Sequence, residues 1–374
     1  MIINFKCPSF AIGTHSGWNE KNNSPTTSLS LTKRIPVKLR KSPYEKVFFN
    51  TDKEISYVIK STKGDISGLS SGAGSSIVEF HKIFFKIKRN GYRNKGFINK
   101  QIPDREFIIK DTLFEETDNE VGGAMSDIDA QREIKIENEL IKKGFLIPQR
   151  IIGLYKIKTP FEKEDAVAII QKIDTDFRAD ELTMTYLFNL FFDVYGNKCS
   201  FSLKDNSFNF PQYSIKKGFE IFKKHYSKLF FELARNIGSI YRKFHDEGYL
   251  RGISNSWYGN ELICEDGNIG VCDLESCFSR EEINDNEIFE ELAKTDYNLA
   301  ITAFYDSMNC FENSLASIVG SKLVEGFREG YNSKEYKKLD INIIKDQIKK
   351  FIKNKEKIIK DDWRKNVFWG KSIF

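Results

Sequence analysis

The sequence predicts an α+β chain in two parts, a β-rich first half carrying one main helix and a mostly helical second half. Three observations lead there. Phe48 to Ser61 and Ile83-Phe84-Phe85-Lys86-Ile87-Lys88 read as extended runs on either side of a Gly/Ser loop. Lys217 to Glu247 places Phe222, Tyr226, Leu229, Leu233, Ile237, Ile240 and Phe244 three and four apart, the period of an amphipathic helix. Between that helix and three further helical patterns lies a short loop and hairpin, His245 to Cys277.

Composition bounds the reading. At 374 residues and 40% hydrophobic, the chain is long enough for one large or two modest domains with a sizeable core. Its 32 phenylalanines, spread through periodic segments, are core filling. A net charge of +5 and a pI near 8.6 agree with an anionic partner without specifying one. Cys7, Cys199, Cys264, Cys272, Cys277 and Cys310 form no CxxC pair, and His15, His81, His225 and His245 have no metal-ligand spacing. A zinc site is not expected, and reduced thiols in a cytoplasmic setting are. Met1 to Phe10 lacks an apolar signal core and no run approaches 18 apolar residues, so neither secretion nor membrane spanning is expected.

In chain order, residues 1–50 are a polar extension with a basic run, Lys33 to Lys41, either a solvated arm or a contact to an anionic substrate. Residues 51–175 form the β-rich part. In Ser67 to Phe80, Gly68, Gly72 and Gly74 stand among serines, which suits a plain hairpin or a backbone nest for phosphate. Lys86 and Lys88 share a strand face, reaching a nucleotide's phosphates or merely guarding an edge; Lys86, in the more apolar setting, is preferred. After an insertion at 90–125, Ser126 to Lys143 reads as a helix ended by Gly144, with Glu133 and Glu137 as candidate partners for the strand lysine. Ile151–Lys158 and Ala166–Ile173 read as an antiparallel pair running into a polar connector, Asp174 to Asp180.

Residues 176–335 form the helical part. Its hairpin has strands at Leu262–Cys264 and Ile269–Cys272 around the turn Glu265-Asp266-Gly267-Asn268. Asn260 and Asp273 flank it, suited to hold Mg²⁺ against phosphate oxygens. Helices follow over Asn286–Phe311 and Ser314–Tyr331. Residues 336–374 carry a basic amphipathic helix, Asp340–Lys360, that packs on the body or touches nucleic acid or a membrane surface.

This order of parts resembles the protein-kinase-like fold, two-lobed with a β-rich N-lobe and a helical C-lobe, and in particular its atypical and aminoglycoside-phosphotransferase-like branches. The resemblance covers about residues 60–335 and rests on the order of five features rather than one motif. It implies ATP and Mg²⁺ as cofactors. Gly72 and Gly74 look like the nucleotide-covering loop, Lys86 the phosphate-binding lysine, and Glu133 its ion-pair partner. Glu137 is the second choice for that partner. Ile173, at the interlobe connector, looks like part of the adenine contact. Asn260 and Asp273 look like the metal ligands, Asp273 standing in Asp273-Leu274-Glu275 for D-F-G.

The catalytic loop departs from H-R-D-x-x-x-x-N, because five residues before Asn260 stands Asn255, which cannot act as a base. Phosphoryl transfer depends mainly on positioning and charge neutralisation, so the departure permits an atypical phosphotransferase as well as a pseudokinase scaffold. Gly252-Ile253-Ser254-Asn255-Ser256 is also similar to the G-x-x-N-[ST] segment of selenoprotein-O-type AMP transferases, although Trp257-Tyr258-Gly259 lengthens the loop. Asp246 and Glu275 are the carboxylates near enough to replace the base. Arg251 is either a phosphate-neutralising cation or a surface residue at a helix end. The expected activity is phosphate transfer from ATP to a hydroxyl of a protein or other acceptor, nucleic acid and small molecules included.

Overall fold

The computed structural model describes residues 67–358 apart from short internal gaps, together with a few strand residues nearer the N-terminus. Outside the described residues are 1–66 other than 18–19, 24–25, 36–38 and 47–48, then 72–74, 81–82, 89–101, 110–111, 119, 122–123, 158–165, 197–199, 203–206, 210–214, 253–257, 310–313 and 359–374. Gly72, Gly74 and Asn255 therefore lie outside them, as do the basic run at 33–41 apart from Pro36–Lys38 and the strand expected at 48–61 apart from Phe48.

The chain is α+β with antiparallel sheets. The sheet that matters is built from β1 (Ser67–Ser71), β2 (Ser75–Phe80), β3 (Ile83–Lys88), β4 (Gln149–Ile157) and β5 (Ala166–Ile173). They lie in the order β1-β2-β3-β5-β4, with α1 (Asp127–Lys142) inserted between β3 and β4 in sequence. The register sets Lys86 opposite Gln171 and Ile87 opposite Ile170. The insertion contains its own hairpin, Ile102–Ile109 with Thr112–Asp118.

β3 is buried on both faces at its end: Phe85 and Ile87 on one, Lys86 and Lys88 on the other. Such lysines need carboxylate or amide partners, because an unpaired buried ammonium is costly. Helix α1 supplies them. Ala130 and Ile134 pack on Ile151, Leu154, Val167 and Ile169 of the sheet, while Glu133 and Glu137 also turn inward. Gly144, at φ +74°, ends the helix, and Phe145 N–H reaches back to the Leu140 carbonyl.

The helical part contains α2 (Ala179–Tyr195), then α3 (Ile215–Ile221) running through a π-turn at Phe222–Tyr226 into α4 (Ser227–Asp246). The long helix expected over 217–247 is thus one path with a π-bulge, which shifts its phase (a feature that apolar spacing does not reveal). The hairpin strands β6 (Glu261–Ile263) and β7 (Ile269–Val271) follow, then α5 (Asn286–Asn309), α6 (Ser314–Ser333) and α7 (Ile341–Ile358). Helices α4 and α6 touch backbone to backbone: a Cβ at Gly238, Gly326 or Gly330 would lie within 2.4 Å of a facing carbonyl oxygen. The large core joins α2, α4 and α6 with the hairpin, and extends to Ile136 and Leu140 of α1. The basic terminal helix α7 belongs to it. Ile344, Ile348 and Phe351 are buried, Phe351 meets Phe188 edge-on at 4.8 Å, and Lys350 Nζ lies 2.5 Å from Asp193 Oδ2. Among the described residues, no helix is long and apolar enough to cross a membrane.

Candidate functional site

The ends of β3, α1, the connector after β5 and the β6–β7 hairpin converge on one cluster of charges. At its centre is Lys88. Its Nζ lies 3.0 and 3.2 Å from the two Glu133 carboxylate oxygens, 3.2 Å from Asp273 Oδ1 and 2.5 Å from Glu275 Oε2. Lys86 Nζ donates to Gln149 Oε1 at 3.1 Å and lies 3.8 Å from Asp273 Oδ1. The expected pairing of Lys86 with Glu133 is therefore corrected: both lysines face the cluster, and Lys88 takes the glutamate. The physical reason is position along the strand, since Lys88 is two residues nearer to α1's inward glutamate while the side chain of Gln149, on β4, meets Lys86. Glu137, the second choice, meets neither lysine. Its carboxylate accepts from Ile151 N–H at 2.9 Å and from Arg150 Nε at 3.3 Å, tying α1 to β4.

Asp273 follows β7 at φ +53°, a left-handed conformation that a non-glycine residue adopts at a cost. The backbone around it is held by Arg251. This side chain is fully buried and ion-paired to Glu261 at 3.1 Å. Its Nη2 donates to the carbonyls of Cys272 at 2.7 Å and Asn260 at 3.1 Å, and its Nη1 to that of Asp273 at 3.3 Å. The Arg251 backbone N–H donates to Asp296 Oδ2, which also binds His245 Nε2. Arg251 is thus neither of the two things expected, a phosphate-neutralising cation or a surface arginine: its donors are committed to protein carbonyls and Glu261. Asp246, one of the two candidate replacement bases, is exposed and bonded to Arg242 and Lys334. Glu275, the other, is in the cluster.

Asn260 and Asp273 are brought together, but a side chain lies between them. Arg178, at the start of α2, donates from Nη1 to Asn260 Oδ1 at 2.7 Å and to the Gly259 carbonyl, and from Nη2 to Asp273 Oδ2 at 3.2 Å. Arg178 is held by a β-bridge to Leu262, by the neighbouring bond of Ile263 N–H to the Phe177 carbonyl, and by its own N–H to Glu181. Reading the segment as a polar connector missed it; the available signal was one arginine among acids in Asp174-Thr175-Asp176-Phe177-Arg178-Ala179-Asp180-Glu181. Ile173 is buried at the end of β5 between β3 and β4. The connector after it is bonded to the protein: Asp174 N–H to the Pro148 carbonyl, and the Thr175 carbonyl to Gln149 Nε2.

The electrostatics separate the acids. Burial pushes the Glu133 carboxyl up against the pull of Lys88. Burial likewise raises Asp180 against Arg178. At Asp273 burial is outweighed by Lys86, Lys88 and Arg178, which hold it well below the usual carboxylate range. Burial opposes the charge of Arg178, but the carboxylates of Asp273, Asp176 and Asp180 hold it firmly protonated. Glu137 is pushed up to about 7 by burial. Asp273 and Glu275 are 16% and 20% exposed, so the cluster opens on that side while Lys86, Lys88 and Glu133 stay behind it.

A divalent metal at the proposed clamp would need oxygens from Asn260 and Asp273. One oxygen of each already accepts from Arg178, and among the described residues no group of three or more His, Cys, Asp or Glu side chains is assembled to hold a metal. The arrangement does not fit Mg²⁺ at that clamp. Neither a protein-family model nor a curated protein sequence matches this chain.

Proposed function

We propose that the chain is an atypical protein-kinase-like phosphotransferase, binding ATP at the Lys86/Lys88–Asp273 cluster and passing phosphate to a hydroxyl of a protein or other acceptor. The observation that carries the reading is convergence. A strand lysine, a helix glutamate and an acid after a hairpin are drawn from positions 88, 133 and 273 and meet within 3.2 Å of one ammonium. The sheet order β1-β2-β3-β5-β4, with the glutamate-bearing helix between β3 and β4, supports a two-lobed kinase-like arrangement. Two buried lysines behind a partly exposed aspartate are suited to phosphate oxygens.

A second reading, a nucleotide-binding pseudokinase scaffold, is favoured by two observations. Position 255 is Asn rather than a base, and Arg178 fills the clamp. The AMP-transfer reading has only the Gly252–Ser256 segment behind it. Calorimetric titration with ATP, followed by incubation with ATP and mass spectrometry of the chain and its products, separates them. Phosphate transfer supports the leading reading, AMP transfer replaces it, and binding without transfer selects the scaffold. If ATP does not bind, or if Lys88→Met binds it as well as the wild type, the site is wrong.

A further inference from the structure

We propose that Arg178 is a built-in cation that takes the place of a divalent metal in the Asn260–Asp273 clamp. The chain would then bind no divalent ion there and hold a nucleotide's phosphates without one. The guanidinium bridges the side-chain oxygens of both residues, at 2.7 and 3.2 Å. It is buried, and its Nε has no hydrogen-bond partner. A guanidinium is planar, permanently charged and matched to carboxylate and phosphate geometry. Unlike a metal it is covalently part of the chain, and its backbone is fixed to β6 by the Leu262 bridge and to α2 by Glu181. Charge is consistent with this. Arg178 supplies a fixed positive charge beside the Asp273 carboxylate. Lys86 and Lys88 add two more cations on the other side of Asp273.

The metal half of the inference stands on Arg178 alone, and the phosphate half rests on the nucleotide-site reading above. Two titrations of the full chain distinguish their failures. In the first, Mn²⁺ alone is followed by electron paramagnetic resonance: the wild type shows no stoichiometric bound Mn²⁺, and Arg178→Gln gains a site. Stoichiometric Mn²⁺ on the wild type that Asp273→Asn removes overturns the proposal, and this arm needs no arginine variant to fold. In the second, ATP affinity is compared in EDTA and in magnesium. The expected change is under about threefold for the wild type and above about tenfold for Arg178→Gln, with Arg178→Lys between them. A wild type that loses more than about tenfold in EDTA overturns the metal-free part. An absence of ATP binding in both buffers overturns the nucleotide-site reading and the phosphate half with it, while the Mn²⁺ titration still decides who occupies the clamp.

Discussion

Arg251 and Arg178 grip the same two residues through different atoms. Arg251 binds the backbone carbonyls of Asn260 and Asp273, and Arg178 binds their side-chain oxygens. Arg251 is fully buried, paired to a fully buried Glu261 and enclosed by Cys272, Cys277 and Phe244. Arg178 sits behind an aspartate that still reaches the surface. Charge and residue type are thus the same in both, while most accepting atoms differ: besides the two side-chain oxygens Arg178 reaches one carbonyl, that of Gly259, whereas Arg251 reaches three carbonyls. An arginine bound to backbone carbonyls fixes where the hairpin ends lie, whereas one bound to side-chain oxygens sets what those ends are free to bind.

The largest expected effect follows from removing the enclosed arginine. Arg251→Met leaves Glu261 buried without its partner and strips donors from three carbonyls, so a loss of about 3–5 kcal/mol is expected in urea unfolding. Arg251→Lys recovers little, since one ammonium cannot span acceptors on several sides. Arg178→Met is expected to cost less, about 1–3 kcal/mol. Asp273 keeps Lys86 and Lys88, and the neutral acceptors Asn260 Oδ1 and the Gly259 carbonyl each lose one bond. Equal costs for the two variants would erase the distinction between holding the hairpin and occupying the clamp.

Two glutamates one turn apart on α1 sharpen the same point by pH. Glu133 faces an ammonium, whereas Glu137 faces a backbone N–H and a half-exposed Arg150. Burial raises Glu137 from 4.5 to about 7, so the folded state prefers the protonated form. Its contribution is fully present below pH 4.5 and is lost as pH rises through about 7. Glu137→Gln keeps an acceptor for Ile151 N–H and removes the charge. It is expected to be the more stable protein at pH 8 by up to about 3 kcal/mol, with the gap closing towards pH 4.5. Parallel pH–stability curves for variant and wild type would show that burial does not penalise this carboxylate.

The lysines test whether the cluster is a site or only a set of pairs. Lys88→Met removes the partner of buried Glu133 and is expected to lower ATP affinity more than tenfold, about 1.4 kcal/mol or more, with Lys86→Met a few-fold weaker in effect. A larger loss from Lys86→Met would restore the assignment that apolar flanking residues favour.

Much of this was legible because it is local. The 3.6-residue period placed α1, α4 and α7, extended runs marked β3 and β5, and the turn residues Glu265-Asp266-Gly267-Asn268 marked the hairpin, where Gly267 stands at φ +81°. Chain order then pointed to Glu133, Asn260 and Asp273. What was not legible is what tertiary pairing decides. Parity puts Lys86 and Lys88 on one face but does not say which lysine stands beside Glu133; that depends on how α1 and β4 pack against the sheet. Arg178 read as part of a polar connector and Arg251 as a phosphate-neutralising cation or a surface residue at a helix end, and the side-chain partners that bury them lie up to 95 and 26 residues away. The π-turn at 222–226 and the glycine contacts of α4 with α6 are likewise invisible in a pattern of apolar spacing.

The smallest effect concerns how α1 senses the hairpin. Arg132 donates from Nη1 to the Glu275 carbonyl at 2.6 Å, from Nη2 to that of Cys277, and pairs with Glu282 at 2.7 Å while stacking over Phe278. It is partly exposed, so Arg132→Ala is expected to cost only about 1 kcal/mol. Its consequence for the site is larger than its cost. Glu133 is the next residue along α1 and Glu275 is the carboxylate nearest Lys88, so loosening this tie moves two of the three acids around that ammonium together. Hydrogen exchange of the Arg132→Ala variant is therefore expected to rise in both 127–142 and 274–282, with the Arg251-held residues 260–263 and 269–273 unchanged. Exchange that rises in 260–273 as well would mean that Arg251 does not isolate the hairpin from the segment that follows it.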